Sequence, residues 1–120
     1  MTYSIYRLKD TEENAIISFM CSSLLEKYKH WPPKPESYEK IWEEDLPGQD
    51  SVDLEAVYTK FNIHKPEGFR HHSMSVGDIV VMTGKNPGAY FCDDFGFKSL
   101  PDFYTEVSQT IPPIGRCRSW

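Results

Sequence analysis

Apolar residues recur along this chain with two different periods. From Tyr3 to Leu8 they alternate: Tyr3 and Ile5 share one side with Arg7, and Tyr6 and Leu8 fall on the other. A period of two places successive side chains on opposite faces of a pleated backbone, so a first strand is predicted here. Ile79-Val-Val-Met82 is an unbroken apolar run bounded by Gly77 and Gly84. It is too short for a helix and rich in β-branched residues, which predicts a central strand covered on both faces. Gly84-Lys-Asn-Pro-Gly88 is a connection of turn formers, and Pro87, with no N–H to donate, belongs outside any ladder. Ala89-Tyr-Phe-Cys-Asp93 alternates again, with Tyr90 and Cys92 opposite Phe91 and Asp93. Gly96, set between Phe95 and Phe97, predicts a sharp bend that lays both rings on the sheet.

Helical spacing occurs twice. Ile17, Met20, Leu24 and Tyr28, with Ile16 alongside, predict the longest helix over about 14–29. Asp10-Thr-Glu-Glu13 offers its cap and first-turn acids, and Trp31-Pro-Pro-Lys-Pro35 ends it. Leu54, Val57, Tyr58 and Phe61 predict a second helix over about 52–61. Asp50 or Ser51 is its expected cap, with Asp53 in the first turn, and Asn62 is its expected left-handed exit. Tyr38-Glu-Lys-Ile-Trp42 fits either period; being short and preceded by prolines, it reads as an edge strand. Asp102 to Gln109 predicts a short last helical turn. The fold class is therefore α+β: a small mixed sheet built on a central antiparallel hairpin, about 78–93, with the two main helices packed on it. One domain is expected over 1–110, followed by a C-terminal tail over 111–120.

Composition sharpens this. A chain of 120 residues is one domain by length, and 14% aromatic residues against 39% hydrophobic residues means that its core leans on rings. A net charge of -5 argues against general nucleic-acid binding, which needs a cationic footprint; it is also modest for an acidic nucleic-acid mimic of the anti-restriction type. Three cysteines, an odd count without a CxxC spacing, argue against a disulfide framework and against a structural zinc site. Cys21 and Cys92 read as core thiols, and Cys117 lies in the tail. Neither a signal-peptide pattern nor an apolar run near the ~20 residues of a membrane span is present, so a cytoplasmic protein without membrane contact is expected.

Candidate chemistry concentrates between the second helix and the central strand, where three of the four histidines lie with Lys65 and Arg70. Arg70, His71, His72, Ser73 and Asp78 are the candidate binding residues. A hydrolase would use His72 as general base, Ser73 or Ser75 as nucleophile and Asp78 to orient the base. Residues so close in sequence seldom converge on one atom, and Ser and Asp oxygens at such a position commonly cap backbone amides instead. His64, His71 and His72 with Asp93 or Asp94 make a poor metal set, because adjacent residues of an extended chain point apart. Lys65 and Arg70 lack the Gly-rich loop and helix start that would hold a phosphate. No catalytic residue, metal or cofactor is assigned on this reading. The expected activity is non-catalytic contact of the 63–75 loop and exposed aromatics with a protein partner.

Three stretches also carry a likeness. Leu54-Glu-Ala-Val-Tyr-Thr-Lys-Phe-Asn62, Pro66-Glu-Gly-Phe-Arg-His-His-Ser-Met-Ser-Val-Gly-Asp-Ile-Val-Val81 and Tyr90-Phe-Cys-Asp-Asp-Phe-Gly-Phe97, with Tyr3-Ser-Ile-Tyr-Arg-Leu8 and Phe19-Met20, resemble the YodL-like domain family over roughly residues 3 to 103. Gly77 stands where the family pattern has Ser, and Cys92 and Asp94 where an aliphatic and a small residue are usual; the first departure removes any role for a hydroxyl at that position. The resemblance implies a Firmicutes-type bacterial source and a plasmid or conjugative-element setting. It supplies no catalytic residue set.

Overall fold

A computed structural model describes residues 1–85 and 87–110, the last three of these as backbone only. The expected tail, Cys117 included, lies outside the described residues. In chain order the elements are strand β1 (Thr2–Leu8), helices α1 (Glu12–Ala15) and α2 (Ser22–Lys27), strand β2 (Tyr38–Asp45), helix α3 (Leu54–Ile63), strands β3 (Ile79–Met82), β4 (Gly88–Cys92) and β5 (Phe97–Ser99), and helix α4 (Pro101–Thr110). The strands form one sheet in the order β2-β1-β3-β4-β5. The α+β class and the β3–β4 hairpin are as expected. The sheet is antiparallel throughout rather than mixed, because no crossover returns a strand parallel to its neighbour. Tyr38–Asp45 is indeed an edge strand.

β3 is the middle strand, and all four of its residues are buried. Ile79 and Val81 face one core with Leu25, Phe91, Leu100 and Phe103; Val80 and Met82 face the other with Tyr3, Ile5, Val57 and Phe61. Rings fill both layers edge to face. Phe61 meets Phe69 at 4.8 Å between centroids, and Trp31 meets Phe91 at 5.1 Å.

The long helix expected over 14–29 is two short helices joined by an irregular turn. Thr11 caps α1 through the Asn14 amide, with Glu12 and Glu13 in the first turn as expected. The chain then breaks at Phe19, whose φ is 64°. Two causes are legible in the structure. The stretch Ser18 to Ser23 holds residues of weak helix propensity, and a carboxylate from another element captures the new helix start: Asp93 accepts from both the Ser22 amide and the Ser22 hydroxyl. Cys21 consequently sits half-buried at the cap of α2 with its Sγ 3.2 Å from the Ser23 hydroxyl, not in the core.

α3 starts two residues later than expected because Asp53 is its cap, accepting from the Glu55 amide at 3.1 Å. It ends at His64, whose amide closes the last turn on the Lys60 carbonyl; Asn62 stays helical. Gly96 makes its turn at φ 72°, with the Asp93 amide bonded to the Gly96 carbonyl. That turn packs Phe97 against the sheet but leaves Phe95 at its tip, 92% exposed, so only one of the two rings is laid down.

Candidate functional site

The register of the sheet sets the geometry of the candidate loop. Tyr6 of β1 lies opposite Ile79 of β3, so the next step brings Arg7 to Asp78. The Arg7 Nε donates to Asp78 Oδ1 at 3.0 Å and its Nη2 to Oδ2 at 2.8 Å, a two-pronged pair of the planar guanidinium on a carboxylate. The guanidinium also donates to the His72 carbonyl at 3.1 Å and the Ser73 carbonyl at 3.2 Å. Asp78 in turn accepts from the Ser75 amide at 3.0 Å. Its own backbone is fixed on both sides, donating to the Ser75 carbonyl and accepting from the Cys92 amide. A buried ion pair with every oxygen engaged is a structural clamp: it folds residues 72–78 back over the start of β3.

Of the five candidates, Asp78 is buried at 3% exposure, Ser73 is half-buried, and Arg70, His71 and His72 are exposed. His72 Nδ1 lies 2.8 Å from the Ser73 carbonyl oxygen, not from a hydroxyl or a carboxylate. Its ring is 6.0 Å from that of Phe19. His71 points elsewhere, toward Phe69 at 5.5 Å, as adjacent residues of an extended chain must. The Ser75 hydroxyl is buried, with no hydrogen-bond partner among the described residues. The loop is thus brought together by Arg7 and Asp78, but His72, a serine hydroxyl and the carboxylate do not converge. Gly77 takes φ 102°, which explains a glycine there on backbone grounds.

Arg7 is the residue that sequence reasoning missed as part of this site. Its signal was present: a charged side chain inside an alternating apolar strand needs a buried partner, and Asp78 is the acid that adjoins the fully apolar strand.

Beside the clamp is a cleft of about 100 Å³ walled by Arg7, Tyr38, Met20, Phe19 and His72. Small-molecule sites usually span about 300–1,000 Å³, so this one is undersized for a substrate. Next to it the surface is apolar: Ile16 is exposed, and the Phe19 ring is 63% exposed although its backbone sits in the left-handed region, which a non-glycine residue occupies at a cost. The Asp93–Ser22 bonds hold the β4–β5 turn, with Phe95, against this segment.

The titrating groups near the sheet are tuned by burial. Burial first, then the charges of Asp78, Glu55 and Asp93, pushes the Cys92 thiol up to about 12, which leaves it an unreactive core group. Asp93 feels burial raising its carboxyl, but the Ser22 and Asp94 hydrogen bonds outweigh that and hold it below the ordinary range. Cys21, Asp93 and Asp94 bring ligand atoms within 4.8 Å of one another, yet Asp93 already spends Oδ1 on the Ser22 and Asp94 amides and Oδ2 on the Ser22 hydroxyl. Among the described residues no helix is long and apolar enough to cross a membrane.

A five-stranded antiparallel sheet with helices on both faces, its middle strand led in by a clamped loop, defines a small α+β domain. The chain belongs to the YodL-like domain family, whose model matches residues 2–103. No curated protein and no solved structure matches it.

Proposed function

We propose that this domain is a non-catalytic interaction module, an accessory part of a bacterial mobile element, that meets a protein partner through Phe19, His72 and the neighbouring 70–73 segment. The observation that carries this reading is the exposed Phe19 ring held on a left-handed backbone next to a carboxylate that is fully engaged by Arg7 and the Ser75 amide. Backbone strain kept at an exposed aromatic is expected where the ring is used, since a surface Phe with no role is free to relax. Exposed aromatic side chains are the residues that anchor protein interfaces. His72, whose ring lies 6.0 Å from that of Phe19, supplies a polar contact beside it.

The test is a quantitative pull-down from the bacterial host with three chains: the wild type, Phe19→Ser, and Tyr58→Ser on α3. One partner retained by wild type and Tyr58→Ser and lost by Phe19→Ser, with melting temperatures unchanged, is the expected result. A turnover of ester or phosphoester substrates abolished by His72→Ala at unchanged melting temperature would replace this reading with a hydrolytic one.

A further inference from the structure

The cleft beside the Arg7–Asp78 clamp is undersized for a substrate, but its wall holds one polar group that the fold leaves unused. Tyr38 is only 8% exposed, yet among the described residues its hydroxyl has no hydrogen-bond partner. The oxygen is not sealed in either, since the fully buried unpartnered side-chain atom of the described residues is the Ser75 hydroxyl. Burial, and then the charge of Asp78, raise the Tyr38 hydroxyl above its ordinary range. The phenol therefore keeps its proton at neutral pH and faces the Asp78 side of the cleft.

The charged groups around it are already engaged. Arg7 is held by Asp78 and by two carbonyls, and Asp78 by Arg7 and the Ser75 amide. The Lys9 ammonium donates to the Glu36 carbonyl at 2.9 Å. The fixed charges on the cleft also cancel, Arg7 and Lys9 against Asp10 and Asp78, so an ionic end entering it gains no net attraction for the water it gives up. The rest of the wall is apolar: Leu8, Ile17, Met20 and Leu25. At about 100 Å³ the cleft exceeds the ~30 Å³ share of one water and falls short of the ~150 Å³ that takes a benzene ring. That size admits a short chain and excludes an aromatic one. A purely aliphatic chain would cover the phenol and leave it without water or partner, which is the costly way to bury a hydroxyl. Phe19 and His72, both exposed, border the same cleft, so a protein resting on them lies at its mouth.

We infer that this cleft receives one side chain of the protein partner, a short aliphatic chain ending in an uncharged amide or hydroxyl, as in asparagine, glutamine or threonine, with the Tyr38 hydroxyl as its hydrogen-bond mate. The inference rests on the interaction proposed above and names the chemistry of the group that enters.

Two measurements test it. In the first, the full chain is titrated with propionamide and followed by methyl NMR. Propionamide should shift the Met20 methyl resonance saturably, in the millimolar range expected of so small a molecule. Propionate and propylammonium should bind at least about fivefold more weakly. Tyr38→Phe removes an oxygen that has no protein partner, so it should leave the melting temperature unchanged while weakening propionamide about fivefold, the usual effect of one hydrogen bond. In the second, the protein that wild type captures and Phe19→Ser loses should be retained about fivefold less well by Tyr38→Phe. If Phe19→Ser loses that protein, Tyr38→Phe retains it in full and propionamide does not bind, the interaction stands and the cleft has no part in it. Saturable propionamide binding with full retention by Tyr38→Phe overturns the assignment to a partner and gives the cleft to a free small amide or alcohol. Equal capture by Phe19→Ser and wild type defeats the interaction itself, and the partner's side chain with it.

Discussion

The centre of the sheet and the segment from residue 10 to 31 both hold large apolar side chains, yet they behave in opposite ways. In the centre, Ile79 to Met82 are all buried, and the one charged pair, Arg7 with Asp78, has each oxygen and nitrogen occupied. In the 10–31 segment, Ile16, Phe19, Leu24 and Tyr28 remain exposed, and the backbone is left-handed at Phe19 and Lys29. The difference teaches where each region has its freedom. A central strand must satisfy two faces and two neighbours at once, so its sequence is spent on the fold. A segment anchored at a few points, Ile17, Met20 and Leu25 in the core and Ser22 on Asp93, has side chains left over for something else.

Breaking the centre should have the largest effect. Asp78→Ala leaves the guanidinium of Arg7 buried without its carboxylate and releases the Ser75 amide. Removing one partner of a buried pair typically costs about 3–5 kcal/mol, and that loss is expected in urea denaturation followed by circular dichroism. Replacing both partners, with Arg7→Met and Asp78→Leu, should cost less than Asp78→Ala alone, because no uncompensated charge remains. If the single and double variants lose the same stability, the pair is not the clamp described.

Gly84, at the other end of β3, tests the same rigidity by sterics instead of charge. Its φ is 100°, and a Cβ there would overlap the Asp50 carbonyl oxygen and lie 2.8 Å from the Met1 Cβ. Gly84→Ala should therefore lose about 2 kcal/mol or more, since both backbone conformation and space oppose it. Gly96→Ala, at φ 72° with nothing within 4 Å of the added carbon, should lose about half as much. Equal losses would mean that the Gly84 turn yields and that this end of the strand is not tightly held.

The contrast also explains what could be read from the chain. Alternation at Tyr3–Leu8 and the run at Ile79–Met82 located β1 and β3 because burial on a pleated surface leaves a period that no other interaction overrides. The stripe Leu54, Val57 and Phe61 located α3 for the corresponding reason. Positions 14–29 misled because the helical period there is real but the decisive interaction is not local: Asp93, seventy-one residues away, takes the Ser22 amide and hydroxyl. Phe95 misled because a tight turn gives only one of two flanking rings access to the sheet. At the candidate site, Asp78 and the loop were found from their types, but Arg7 required the β1–β3 register, which spacing along one strand does not contain.

A smaller effect is expected where β2 meets α3. Burial raises the Glu44 carboxyl, but the Tyr3 hydroxyl, the Lys60 ammonium and the Trp42 indole together hold it below its ordinary value of 4.5. A carboxylate whose folded pKa is depressed contributes stability above its unfolded pKa and loses it as pH falls through the folded one. The stability of the wild type should thus decline below about pH 4.5 more steeply than that of Glu44→Gln, with a difference above that pH of about 1 kcal/mol or less for a partly exposed pair. Parallel pH profiles for the two chains would show that these hydrogen bonds do not favour the charged form.

The least effect on stability, and the sharpest use of the comparison, belongs to Phe19. Glycine adopts a φ of 64° without the steric penalty that a phenylalanine carries there, and the ring it removes is mostly solvent-exposed. Against this stand the greater freedom that glycine gains in the unfolded chain and the loss of the contact with His72. These opposing contributions are each of the order of 0.5–1 kcal/mol, so Phe19→Gly should leave the melting temperature within a few degrees of wild type, whereas a central-strand change of equal size does not. If the same variant loses the partner captured by wild type, the strained ring serves contact and not folding. If instead Phe19→Gly unfolds as readily as Asp78→Ala, Phe19 is part of the core's support, and the division between a spent centre and an unspent segment fails.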